Sequence, residues 1–169
     1  METGRASKTA LRVAIRRAAH QLADPPAILN DPIAVRLIGN GFARDLDRAM
    51  EKVARDFRAF MAARSRYTED RLVDAVANGI GQYVVLGAGL DTFAYRNPFP
   101  ALRVFEVDFP ATQEWKRGLL HQAGISLPEA LTFVPLDFEH KALDDGLRES
   151  GLAGERPNCR HDGRDQSAE

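Results

Sequence analysis

The chain has 169 residues, 44% of them hydrophobic, with a formal net charge of -1 and a single cysteine, Cys159. That is enough for one ordinary core and too short for two comfortable domains; the lone cysteine excludes an internal disulfide, and no run approaches the ~18 uninterrupted apolar residues that span a bilayer. The near-zero charge argues against a nucleic-acid binder, so the expectation is a soluble, cytoplasmic protein with neither nucleic acid nor membrane as a partner.

The charge is unevenly placed, with 14 bases and 9 acids in residues 1–71 against 9 bases and 15 acids afterwards. This describes either two oppositely charged surfaces or a basic half that attracts the anionic end of a cofactor or an acidic substrate. Met1 to His20 is basic but lacks the apolar stretch of a secretory signal. Leu11, Ile15, Ala18 and Leu22 recur there at helical spacing, so the segment reads as an amphipathic helix, with an organelle transit peptide as the alternative. Asn30, Asp31 and Pro32 form a turn, and Gly39 to Gly41 interrupt the pattern again. Leu46, Met50, Val53, Phe57 and Phe60 then fall at steps of three and four and line one face of a helix. Thr68, beside Glu69 and Asp70, is placed to cap a further helix that stops at Asn78 and Gly79. Residues 1–80 are therefore expected to be an N-terminal helical cap.

From Gln82 the texture changes. Three short runs rich in β-branched, aromatic and aliphatic residues, Tyr83–Leu86, Val104–Val107 and Thr132–Leu136, are separated by a Gly-rich turn and by a helix over Ala111–Ala123. Alternation of this kind means α/β with a parallel sheet and right-handed crossovers, and a helix over Glu139–Glu149 follows. Residues 81–153 read as a partial nucleotide-binding core. Residues 154–169 hold almost nothing apolar, so they read as a disordered tail.

The chemistry concentrates where the predicted strands end. Leu86 to Thr92 occupy the turn after the first strand, where an open α/β sheet makes room for a ligand, and Gly87 and Gly89 leave the backbone bare for close approach. Asp108 ends the second strand about 20 residues on, where nucleotide folds place an acid against ribose hydroxyls. Asp137 closes the third strand at the same edge. Thr92 stands where a dinucleotide fingerprint has its third glycine, which favours a mononucleotide-type ligand over NAD. Glu106 lies in a strand expected to be covered on both sides, so either its position stays wet or a base neutralises it, and pairing with Arg64 or Arg66 is the expectation. His20, His121 and His140 receive no catalytic role, and Cys159 with His161 supplies too few groups for a metal site.

The runs Ala63-Arg64-Ser65-Arg66-Tyr67-Thr68-Glu69-Asp70, Gln82-Tyr83-Val84-Val85-Leu86-Gly87-Ala88-Gly89-Leu90-Asp91-Thr92 and Phe105-Glu106-Val107-Asp108-Phe109-Pro110 resemble the leucine carboxyl methyltransferase superfamily, particularly its bacterial, mycobacterial-type branch. Asn30-Asp31-Pro32-Ile33-Ala34 and Val134-Pro135-Leu136-Asp137-Phe138 fit it too, and the likeness covers roughly residues 10–156. It implies a Rossmann-like S-adenosyl-L-methionine-dependent methyltransferase fold and that cofactor. Arg64 would hold the methionine carboxylate, Gly87 and Gly89 would pass under the cofactor, Asp108 would bind the ribose, and Asp137 with Phe138 would contact the adenine. It further implies methyl transfer to a carboxylate or hydroxyl of a small-molecule or carboxylate-bearing acceptor, with no catalytic residue assigned.

Members of that family continue past the equivalent of Gly154-Glu155-Arg156-Pro157 into an apolar strand, whereas here polar, unpatterned residues follow. The expectation is a truncated chain: an incomplete parallel sheet of about three strands, open along the first strand and given to self-association there. Two rival readings stand beside the active methyltransferase. One is a truncated, non-catalytic cofactor-binding fragment; the other, disfavoured by Thr92, is half of a nucleotide-dependent oxidoreductase.

Overall fold

A computed structural model describes residues 7–51 and 54–153 and the backbone of 158–162. Four helices come first: α1 (Lys8–Ala23), α2 (Pro32–Ile38), α3 (Ala43–Met50) and α4 (Arg55–Ala77). The α/β part follows as β1 (Gln82–Leu86), β2 (Arg103–Asp108), α5 (Pro110–Gln122), β3 (Leu131–Pro135), α6 (Leu143–Glu149) and β4 (Asn158–Asp162). The described strands form one parallel sheet in the order β3-β2-β1-β4.

Local chemistry starts the helices where the sequence allows it. Ser7 caps α1 by accepting from the Ala10 N–H at 3.1 Å, and Asp31 caps α2 by accepting from the Ala34 N–H at 3.1 Å, with Pro32 in the first turn where a missing N–H costs nothing. Thr68 is not a cap. Its hydroxyl donates to the Arg64 carbonyl one turn back, and α4 runs unbroken from Arg55 to Ala77. The helix expected through Leu46–Phe60 is also divided, with Leu46 and Met50 on α3, Phe57 and Phe60 on α4, and Val53 outside the described residues. Phe57 and Phe60 stay exposed, because Arg58 turns inward instead. Arg58 forks onto Asp24 (2.8 and 2.9 Å) and donates to the carbonyls of Ala49 and Glu51, so one guanidinium gathers the ends of three helices.

Alternation along the strands divides the core. Val84, Phe105, Val107 and Val134 pack with Leu136 and Leu147 of α6 on one face. On the other, Tyr83, Val85 and Val104 meet Leu72 of α4 and the short 3-10 turn Phe93–Tyr95. A third cluster joins α1, α2 and α5 through Ala14, Ile15, Ala18, Leu37, Ile38 and Leu120. With α5 and α6 on opposite faces the sheet is doubly wound, and the strand order reverses beside β1.

Two expectations change here. The sheet has the three predicted strands and a fourth, Asn158–Asp162, which pairs with β1 from Gln82↔Asn158 to Leu86↔Asp162. The edge of β1 is thus covered, and part of the segment read as a disordered tail is a strand; the rest of that segment lies outside the described residues. Ladder bonds come from the backbone, so a polar run that gives no hydrophobic signal can still satisfy a buried strand. The base opposite Glu106 is Lys116 of α5 at 2.5 Å, both side chains 1% exposed, rather than Arg64 or Arg66. Arg66 pairs instead with Asp70 on its own helix. Burial pushes the Glu106 carboxyl up to about 7, against the pull of the Lys116 ammonium.

Glu106→Gln should therefore cost about 3 kcal/mol by leaving a buried ammonium without its counter-charge, lowering Tm by about 6–12 °C, and Glu106→Gln/Lys116→Met should recover part of that loss in thermal melts. Hydrogen bonds from Arg58 hold the Asp24 carboxyl down to about 2 in spite of partial burial, with His20 helping. The stability this contributes is complete above about pH 4 and drains as pH falls towards 2, so Asp24→Asn should shift wild-type acid unfolding to higher pH while flattening its dependence between those values.

Candidate functional site

The carboxyl ends of β1, β2 and β3 meet at one edge of the sheet, beside the point where strand order reverses, and open α/β folds take ligands at such a point. After Leu86 the chain turns through Gly87 and Gly89, whose φ angles of 61° and 49° lie in the left-handed region where a side chain is strained. The turn is fastened to β2 along its length. Ala88 N–H donates to the Val107 carbonyl at 3.1 Å, and Gly89 N–H donates to Asp108 Oδ2 at 2.5 Å. The other carboxylate oxygen accepts from the Phe109 N–H at 2.6 Å. Each oxygen keeps a second lone pair, so Asp108, half-buried, can still accept from hydroxyls of a ligand.

Asp137 follows β3 at the same edge. Leu136 N–H donates to the Asp108 carbonyl at 2.9 Å, which ties the end of β3 to the end of β2. The Asp137 carboxylate accepts from the Glu139 N–H at 3.0 Å and pairs with His140 Nδ1 at 2.9 Å. These contacts, the Glu139 N–H first, hold it below the usual carboxylate range. Phe138 next to it is 40% exposed, an apolar ring at the rim. Gly87, Gly89, Asp108, Asp137 and Phe138 therefore belong to one edge of the sheet, as the sequence suggested.

Arg64 lies on another element. It is half-buried on α4, two turns before Leu72, which packs against Tyr83 and Val85. Because α4 leads through a short turn into the start of β1, its earlier turns run towards the strands' carboxyl ends, and Arg64 stands ~12 Å along the helix from Leu72 in that direction. A cavity of about 200 Å³ between Leu29, Arg66, Val73, Phe93 and Phe99 includes none of the residues expected at the site.

Sequence reasoning missed the outer support of the glycine turn. Gly89 is buried beneath α1, where an added Cβ would sit 2.7 Å from the Ala10 Cβ. Arg17 on the same helix donates to Asp91 at 2.8 Å, to Asp31 at 2.5 Å and to the Thr92 hydroxyl at 2.7 Å. The Thr92 hydroxyl in turn donates a hydrogen bond to Asp31 at 2.7 Å. Arg96 continues the cluster, 3.3 Å from Asp31 and paired with Glu69 of α4. Burial would raise the Asp91 carboxyl, yet Arg17, with Lys116, the Phe93 N–H and Arg96, brings it down to about 2. The one available signal was Asp31 before Pro32, which reads as a turn or cap and says nothing of an arginine 14 residues earlier.

Comparison with known proteins gives the family. Residues 10–160 match the leucine carboxyl methyltransferase family. The Bacillus subtilis (strain 168) protein named "Putative S-adenosyl-L-methionine-dependent methyltransferase YktD" is 35% identical over 178 residues, covering 90% of this chain and 59% of its own. Proteins of the same general name from Mycolicibacterium paratuberculosis (strain ATCC BAA-968 / K-10) and Mycobacterium ulcerans (strain Agy99) are 34% and 32% identical, covering 92% and 89% of this chain and 54% and 53% of theirs. The chain thus spans between half and three-fifths of the length of these relatives. Among the described residues no helix is long and apolar enough to cross a membrane. By its matched length, its doubly wound sheet and its glycine turn, the chain belongs to the leucine carboxyl methyltransferase family.

Proposed function

We propose that this chain binds S-adenosyl-L-methionine at the carboxyl edge of β1–β3 and forms the cofactor half of a methyltransferase acting on an oxygen nucleophile. The observation that carries the reading is the joint between turn and strand: a backbone without side chains at Gly87 and Gly89, tied by the Gly89 N–H to a carboxylate, Asp108, that retains acceptor capacity for a ribose. The curated relatives' names supply the identity of the methyl donor.

The residues fit that group. Gly87 is partly open to solvent and presents bare backbone, Asp108 offers lone pairs to vicinal hydroxyls, and Phe138 offers an exposed ring to a flat base. Arg64 would pair its guanidinium with a carboxylate through two parallel hydrogen bonds. Bound there, the sulfonium would supply a methyl group attached to its own leaving group. What the chain must contribute is alignment, which can account for several kcal/mol of barrier without a general base. The acceptor is proposed to be a carboxylate or hydroxyl compound, small or presented by a larger molecule.

Isothermal titration of the full chain should show one site for S-adenosylhomocysteine and none for NADH. Asp108→Ala should raise Kd about tenfold or more, since both backbone donors and the ribose lose their acceptor. Equal binding of NADH, or an unchanged Kd in Asp108→Ala, would count against the proposal. Transfer of labelled methyl to carboxylate or hydroxyl compounds should be detectable, and its absence with every acceptor of these classes would count against the proposed reaction.

A further inference from the structure

The glycine turn has two sides, and only the inner one is explained by a ligand. Its outer side rests on α1 at every residue from Gly89 to Thr92. Gly89 touches Ala10; Leu90 is buried with Ala14, Ile15 and Ala18; Asp91 and Thr92 take hydrogen bonds from Arg17. Arg17 is 3% exposed, and it bridges two carboxylates from different parts of the fold, Asp31 at the start of α2 and Asp91 in the turn. Asp91 in turn accepts from the Phe93 N–H at 2.8 Å, which fixes where the turn ends and the 3-10 segment begins. One side chain of the helical cap therefore holds Asp91 and Thr92, the residues that follow the glycines in the turn.

We infer that Arg17 is a positioning residue for cofactor binding: through Asp91 and Thr92 it sets the glycine turn, so that docking of α1 and occupancy of the site are linked. The inference rests on the cofactor reading above and adds a partner for it inside the chain. Linkage is reciprocal, so whatever α1 does for affinity, the cofactor must do for the order of α1. A guanidinium suits the role because its planar fork meets two carboxylates and a hydroxyl at once; an ammonium keeps the charge and loses that geometry. An arginine that merely held the cap down would lower stability when changed, without a selective effect on the ligand.

The test compares two cap arginines in the full chain. Arg58 anchors the ends of α1, α3 and α4 and has no hydrogen bond to the turn, so Arg58→Met removes cap stability alone. Titration with S-adenosylhomocysteine well below each variant's melting temperature should show Arg17→Lys weakened about tenfold or more and Arg58→Met within about twofold of wild type. Should Arg17→Lys fail to fold, hydrogen exchange of the wild type decides: adding S-adenosylhomocysteine should slow exchange across Ala14–Ala18 as well as Gly87–Thr92. Equal weakening of the two variants in proportion to lost stability, or protection confined to the turn and strand ends, overturns the role of Arg17 and leaves the cofactor reading standing. A wild type that does not bind S-adenosylhomocysteine removes both.

Discussion

Arg17 is buried between the carboxylates of Asp31 and Asp91, and its neighbours make sense only around that charge. A lone guanidinium in a core is costly, and a buried pair gains net energy only when its remaining donors and acceptors are satisfied. Here Thr92 accepts from Arg17 and donates to Asp31, Asp31 also caps α2, and Asp91 accepts from the start of the 3-10 segment, while the buried Arg17 Nε meets no acceptor among the described residues. Moving any one of these elements would leave a charge without its partner. The network is thus better understood as fixing register than as a large store of stability, and what it registers is the helical cap against the glycine turn.

The same logic recurs at two other joints. Arg58 collects Asp24 and the carbonyls at the end of α3, and Lys116 meets Glu106 between α5 and β2. Each is a long basic side chain laid into a core so that its head meets acceptors on another element. In this chain the basic first half supplies part of that internal wiring: Arg17 and Arg58, two of its 14 bases, are almost wholly buried. That answers in part why the charge is uneven along the sequence, since not all of the excess faces solvent.

How much could be read beforehand follows from which interactions are local. The strands, the glycine turn and the acids at Asp108 and Asp137 were legible because a four-residue apolar run followed by Gly-x-Gly encodes strand and turn within a dozen residues. The order of the expected sites along one sheet edge followed from parallel topology. What escaped depends on distance. Lys116 as the partner of Glu106 is set by which face α5 covers, and Arg17 meets Asp91 across 74 positions. The strand Asn158–Asp162 escaped because backbone pairing leaves no apolar signature, and the continuity of α4 through Thr68 because a hydroxyl can serve as cap or bond back within a helix with equal ease.

The bare turn after β1 and the carboxylate closing β2 are proposed to form a single adenosine-binding surface, extended by the end of β3. An amide-resolved NMR titration of the full chain with S-adenosylhomocysteine tests it most directly. The largest saturable shifts should fall on Gly87–Leu90, Asp108–Phe109 and Asp137–Phe138. Shifts centred on the cavity between Leu29 and Phe99, or none that saturate, would contradict it.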